Sequence, residues 1–352
     1  MENPIVEGLA QAEVICDSVH KGSRLVTVEV EFPRPYLAEF NTHTRFSRNS
    51  ASSRAIPVWK RILSVLERPY IPDSFGTNKA GMQAGEVLSE RDQHNAAKNW
   101  RVGRDIAVVQ AYFLAGGREE FLSVAKKGDK AEDIEKLIDT IENLAFHYQI
   151  FVHLSRQDKG MHKQHANRVL EPYAFHTVVV TATHWRNFFG LRASGNAQPE
   201  AQDFGIAIAK AIMASKPSEL SKGQWHLPYI REEDMDEMLD ESSLESLAEA
   251  SAGKCARVSY LTQDGVRSLD KDIELAKNLQ RSGHMSPFQH VARPKEEGDP
   301  ANSHGNYSPV WTQFRKLLGS ENDFTMLVPK EELVLGCRGD EALADFILSY
   351  PE

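Results

Sequence analysis

A protein of mixed strands and helices is predicted by three features of this 352-residue chain. Residues 24–32 alternate polar and apolar side chains, the period of a half-buried strand, and Pro33 and Pro35 end the run. Residues 131–154 carry Ile134, Leu137, Ile138, Ile141, Leu144 and Ala145 at i, i+3, i+4, i+7 spacing, the stripe of a core-facing helix. No Walker-type Gly-Lys-Ser/Thr occurs and no Gly-x-Gly-x-x-Gly follows a strand, which disfavours the usual nucleotide-binding folds.

The remaining elements follow from the same patterns. Residues 78–116 read as mainly helical. Residues 175–189 open with the β-branched run Thr177-Val-Val-Val-Thr-Ala-Thr183, whose helix or strand state periodicity leaves open. Residues 197–214 read as a helix with Phe204, Ile208, Ala211 and Ile212 on one side. The stretch 232–249 holds nine acidic residues and no Lys or Arg, so it reads as a surface helix or linker and as the best internal boundary. Residues 268–283 begin with Ser268, carry a Leu269, Ile273, Ala276, Leu279 stripe and stop at Gly283, which predicts one capped helix. Residues 294–309, rich in Pro, Gly, Asn and Ser, read as an exposed loop.

Composition narrows the function. The chain is 41% hydrophobic, enough for a real core, and its 41 Lys+Arg against 50 Asp+Glu give a net charge of -9. That balance argues against a general nucleic-acid or membrane-surface binder, so any anion site must be local. No apolar run reaches the ~20 residues of a membrane span, the N-terminus lacks a secretory pattern, and a cytoplasmic location is expected. Cys16, Cys255 and Cys337 are too scattered for a zinc site or a disulfide framework, and Cys255 reads as a buried structural cysteine.

Chemistry concentrates in a few segments. Thr42 to Pro57 gathers one imidazole, three guanidinium groups and four serine hydroxyls, a set able to grip phosphate; the competing reading is a solvated polar loop. Arg192 stands just before the helix at 197, where it could bind a carboxylate, a phosphate or the edge of a base; the competing reading is a surface pair with Glu200. His162 and His165 have helical metal-ligand spacing, but no third ligand stands near them. Gly283 to His290 places two histidines and a hydroxyl around a Pro-Phe turn, or is simply a helix cap and a turn.

Four separated segments together carry a resemblance. Ser47-Arg-Asn49-Ser-Ala-Ser52-Ser-Arg54 with His43, Asn187-Phe-Phe-Gly-Leu-Arg192 with Ala197-Gln198-x-Glu200, Ala256-Arg-Val-Ser259, and Gly283-His284-x-Ser286-Pro-Phe-x-His290 resemble the motif set of flavin-dependent thymidylate synthases. The last two elements ordinarily precede the Ser/Arg motif, whereas here they follow it, so the chain resembles a circular permutation. Residues 1–214 would then hold the nucleotide and flavin motifs, 215–250 would be an acidic joining segment, and 251–352 would complete the same catalytic fold.

The resemblance implies an α+β fold, a mixed sheet flanked by helices with extra helical segments. It implies methylation of dUMP to dTMP with FAD, NADPH and methylenetetrahydrofolate, by a homotetramer whose sites assemble between subunits. Carried over residue by residue, Arg192 would polarise the pyrimidine as the catalytic cation. Ser52, Arg54 and Arg168 would join it in binding the nucleotide. His43, Ser47, Asn49, Asn187, His284 and Ser286 would line the flavin. A metal is not implied. The family's Arg-His-Arg is Thr42-His43-Thr44 here, with Arg45 or Arg48 as a replacement charge; a glutamate is missing near Ser50, and Gln289 stands where Glu is common. These departures keep open the modification of another pyrimidine nucleotide, such as hydroxymethylation. A non-catalytic nucleotide- or nucleic-acid-binding protein is the reading from another class.

Overall fold

The computed structural model describes residues 4–81, 83–125, 131–150, 160–236, 241–259, 268–302, 306–319, 321 and 329–349. Its centre is a twisted sheet in the order β1 (Ile5–Glu7), β2 (Ala10–His20), β3 (Ser23–Pro33), β5 (Phe175–Ala182), β4 (Ser47–Ser50), all neighbours antiparallel. A short parallel pairing of β6 (Ser218–Glu219) with β2 makes it mixed. The fold is therefore α+β, an antiparallel-dominated sheet flanked by helices.

The β2–β3 hairpin turns through Lys21 and Gly22, both with positive φ, as a two-residue hairpin of matching twist requires. The undecided run at 175 is a strand because it is central, paired with β3 on one side and β4 on the other. Burial on both faces replaces alternation with a near-continuous apolar sequence, which hides the period of two. The chain then turns into α7, and the helices number α1 (Leu37–Asn41), α2 (Val58–Glu67), α3 (Glu90–Leu114), α4 (Gly117–Ala125), α5 (Ala131–His147), α6 (Lys163–Ala166), α7 (Arg186–Arg192) and α8 (Pro199–Ala214) up to that half.

Cross-strand partners share a face, so Val26, Val28 and Val30 lie with Ala182, Val180 and Val178 on one side of the sheet. Helix α8 covers them with Ala201, Phe204, Ala207 and Ile208, and Phe32, Phe40 and Phe188 complete this core. Each such large side chain contributes about 1.5–3 kcal/mol by leaving water. Beside the sheet, α2, α3 and α5 form a second core around Val108, Tyr112, Ile138 and Ile141. The 131–154 stripe is buried as its spacing predicts, through Ile134, Leu137, Ile138 and Ile141, although 151–154 lie outside the described residues. Helix α3 starts only at Glu90, not at 78. Its cap, Ser89, accepts from the Asp92 amide, while the preceding Gly-rich stretch pairs Gly76 with Val87 instead.

The other face of the sheet is covered by the chain beyond residue 217. Here α9 (Glu232–Asp236) and the start of α10 (Glu241–Ala256) are the expected surface helix, in two pieces, with Glu232, Glu233, Met235, Leu244 and Glu245 exposed. The last turns of α10 are core: Leu247, Ala248 and Ala252 are buried in a cluster with Ala276 of α11 (Leu269–Arg281), and Cys255 is buried as well. Small residues permit this approach, and a Cβ on Gly253 would stand 2.2 Å from the Asp272 carbonyl oxygen. Helix α11 is capped as predicted, by Ser268 accepting from the Lys271 amide and by Gly283 at φ 71°. A β7 (Ala292–Pro294) and β8 (Trp311–Gln313) ribbon and a short 3-10 turn at Ser286–Gln289 bring this segment against β4.

Candidate active site

The residues singled out by sequence fall into three places. The first is a cationic patch where the end of α1, the start of β4 and α7 meet. Phe46 and Phe188 form an aromatic floor under His43, with ring centroids 5.2 and 5.1 Å from the imidazole. Burial on that floor lowers the His43 pKa, the nearby Arg192 and Arg48 guanidiniums lower it further, and a hydrogen bond with Asn187 opposes them. His43 is thereby biased toward the neutral imidazole, able to donate and to accept.

Arg192, the last residue of α7, donates from Nη2 to the Glu39 carbonyl oxygen at 2.9 Å and to the Thr42 hydroxyl at 2.8 Å. Its Nε is buried without a hydrogen-bond partner. The expected alternative pairing with Glu200 is not made. Glu200 is buried and accepts from the Tyr70 hydroxyl at 3.0 Å, which in turn meets Tyr36 at 2.5 Å. Arg48 donates to the Asn41 carbonyl at 2.8 Å, and burial lowers its pKa. Among the described residues, neither guanidinium has a carboxylate within ion-pair distance. Arg48 is thus a charge that acts on His43, while Arg45 is exposed.

The second place is the loop after β4. Ser52 and Arg54 are exposed, and the Arg54 amide donates to the Ser52 hydroxyl at 3.2 Å. The loop is pinned from below by Asn167, whose amide donates to the Ser53 and Ile56 carbonyls at 2.9 and 2.8 Å, and by Lys163 on the Ala55 carbonyl. Arg168 follows Asn167 directly and is exposed, so a firmly held loop and a neighbouring cation share this surface.

The third place is the covered face of the sheet. Ser47 is fully buried there and accepts from the Gln313 amide at 3.0 Å, which closes it off from the His43 patch. Asn49 is half-buried in the same strand. His284 and Ser286 are exposed on a segment tied to β4 by Gln289, whose amide donates to the Arg48 carbonyl at 3.2 Å. The imidazole of His284 folds back on the Ser282 carbonyl.

Sequence reasoning missed a buried polar row on this face. Ser18 Oγ meets His226 Nδ1 at 2.9 Å, and His226 Nε2 meets Thr27 Oγ1 at 2.8 Å. Thr27 meets Thr181 Oγ1 at 2.7 Å, and Thr181 meets His290 Nδ1 at 2.8 Å. All five are buried, and burial pushes both histidines down to about 3. The signal in the sequence was Thr181 inside the apolar run of β5, with Thr27 between two valines of β3. Cys16 touches the row at His226 Nδ1, 3.4 Å away, and burial raises its thiol to about 11, so it is no ready nucleophile. Cys255 is wholly buried.

No family model matches this sequence, and no curated relative matches it. Among solved structures, the chain is similar to a UMP/dUMP methylase PolB from Streptomyces cacaoi bound with 5-Br UMP. The identity is 13% and the TM-score 0.38, over 58% of this chain and 88% of that one.

Proposed function

We propose that the chain binds a pyrimidine deoxynucleotide at the His43, Asn187, Arg192 patch and methylates dUMP to dTMP. The observation that carries this reading is the state of Arg192: a guanidinium with neutral partners, one unpaired buried nitrogen, and a neutral-leaning imidazole beside it. C5 of uracil becomes nucleophilic when its ring carbonyls are polarised, and a fixed cation does this without a covalent thiol. Burial raises the Cys16 and Cys255 thiols, which agrees with that route.

The pinned loop supports binding of the nucleotide phosphate by Ser52 and Arg54, with Arg168 nearby. For FAD, the donor chemistry of His43, Asn187, His284 and Ser286 fits, since these side chains are half-buried or exposed and polar. Ser47 does not fit, because Gln313 already holds its hydroxyl out of reach. Bound reduced FAD would supply hydride, methylenetetrahydrofolate the carbon, and NADPH the electrons that restore the flavin. The chain's own residues would orient the pyrimidine, polarise its carbonyl from Arg192 and keep His43 neutral for proton transfer.

The test is to add FAD to purified protein, then dUMP, methylenetetrahydrofolate and NADPH without oxygen, and analyse the nucleotide product. Yellow protein and thymidylate are expected. Yellow protein with a different modified pyrimidine would replace dUMP methylation by the related one-carbon reaction. A protein that stays colourless would rule out flavin chemistry.

A further inference from the structure

We infer that Thr42 is a positioning residue for Arg192, and that the hydroxyl at this position sets the orientation of the guanidinium toward a nucleotide base. The inference rests on the nucleotide-binding reading of the patch. Its geometry is a closed triangle: Thr42 Oγ1 donates to the Glu39 carbonyl oxygen at 2.7 Å, and Arg192 Nη2 lies 2.8 Å from that hydroxyl and 2.9 Å from that carbonyl. Glu39 O, at the C-terminal end of the short helix α1, already accepts weakly from the Thr42 amide at 3.4 Å and takes the Thr42 hydroxyl and Arg192 as shorter, better-placed donors. Thr42 continues the turn and adds a second acceptor beside it. Two acceptors on one terminal nitrogen fix the guanidinium plane, whereas a single acceptor would let it swing about the last side-chain bonds.

An arginine at position 42 would place a third positive charge against Arg192 and Arg48, and it would remove the hydroxyl that now accepts from Arg192. The neutral threonine trades a direct contact with ligand for control of the neighbouring charge. Thr42 is exposed, so changing it leaves the cores untouched.

The experiment compares Thr42→Val, which keeps the shape and loses the hydroxyl, with Thr42→Ser, which keeps the hydroxyl. The first readout is the Arg192 guanidinium signal in ¹H–¹⁵N spectra of ligand-free protein, assigned by its loss in Arg192→Lys. Wild type and Thr42→Ser should show slow rotation about Cζ–Nη2, and Thr42→Val fast rotation. The second is calorimetric titration with dUMP, where Thr42→Val should bind about tenfold more weakly and Thr42→Ser within about threefold of wild type. Unchanged rotation in Thr42→Val, or a serine variant as mobile as the valine one, overturns the inference. Wild-type protein that does not bind dUMP overturns the nucleotide reading instead, and the spectra still decide the role of Thr42.

Discussion

Two histidine-bearing regions lie on neighbouring elements and have opposite electrostatics. At the patch, His43 shares a half-open surface with Arg48 and Arg192, and among the described residues neither charge has a carboxylate within ion-pair distance. On the covered face of the sheet, His226 and His290 sit in a dry row with Ser18, Thr27 and Thr181 and carry no charge at all. The difference shows how burial decides what a histidine does. In the row, each neutral imidazole offers one donor and one acceptor, and hydroxyls meet three of the four ring nitrogens, leaving His290 Nε2 buried without a partner. The row joins the chain beyond 217 to the sheet, and the patch presents unsatisfied charge to whatever binds.

Acid should separate the two regions most strongly. His226 and His290 have folded-state pKa values near 3 against an ordinary 6.5. A lowered histidine pKa means that the neutral form is favoured by folding. The stability is fully present above pH 6.5 and is lost as pH falls toward 3. Urea midpoints between pH 6.5 and 4 should therefore fall, with a limiting slope on the order of 3 kcal/mol per pH unit for the two groups together. A flat profile over that range would break the contrast.

Thr27→Val comes next. It leaves His226 Nε2 and the Thr181 hydroxyl short of a partner, and chemical denaturation should show a loss of about 3 kcal/mol. Arg192→Ala at the patch should leave stability within about 0.5 kcal/mol but reduce thymidylate formation at least ~100-fold, with flavin absorbance retained. Retained turnover would remove Arg192 from the chemistry. The smallest effect is expected for Arg48→Met, which removes one of the charges depressing His43. An NMR titration should find the His43 pKa moved upward, and a downward move would contradict the placement of that charge.

Much of this was legible in the chain. The alternation at 24–32 and the stripe at 131–154 report elements with well-separated faces, and Ser268 and Gly283 mark a helix by local chemistry that tertiary contacts do not override. The motif residues His43, Asn187 and Arg192 do converge. Other features depend on contacts distant in sequence. Strand β2 has no clean alternation, because its bulge between Val14 and Cys16 shifts the period. The segment Ser47–Ser50 has the composition of a loop and becomes an edge strand only because β5 offers it a partner. Helix α10 reads as solvent-bound from its acidic start, while its buried half mixes alanines with Ser251, Gly253 and Lys254, which carry little hydrophobic signal. His226 acquires its role only when Ser18 and Thr27 come to it from some 200 positions away.

The Thr27–Thr181 contact also bears on how the sheet assembles. Thr27 lies between Val26 and Val28, and Thr181 follows Val180 in the same ladder. A shift by one residue would turn the threonines toward α8, where no polar partner waits, and a shift by two would keep the face but separate the hydroxyls. Either error strands buried polar groups that the native alignment satisfies. The pair of hydroxyls thus favours the native alignment, because the others leave buried polar groups short of partners.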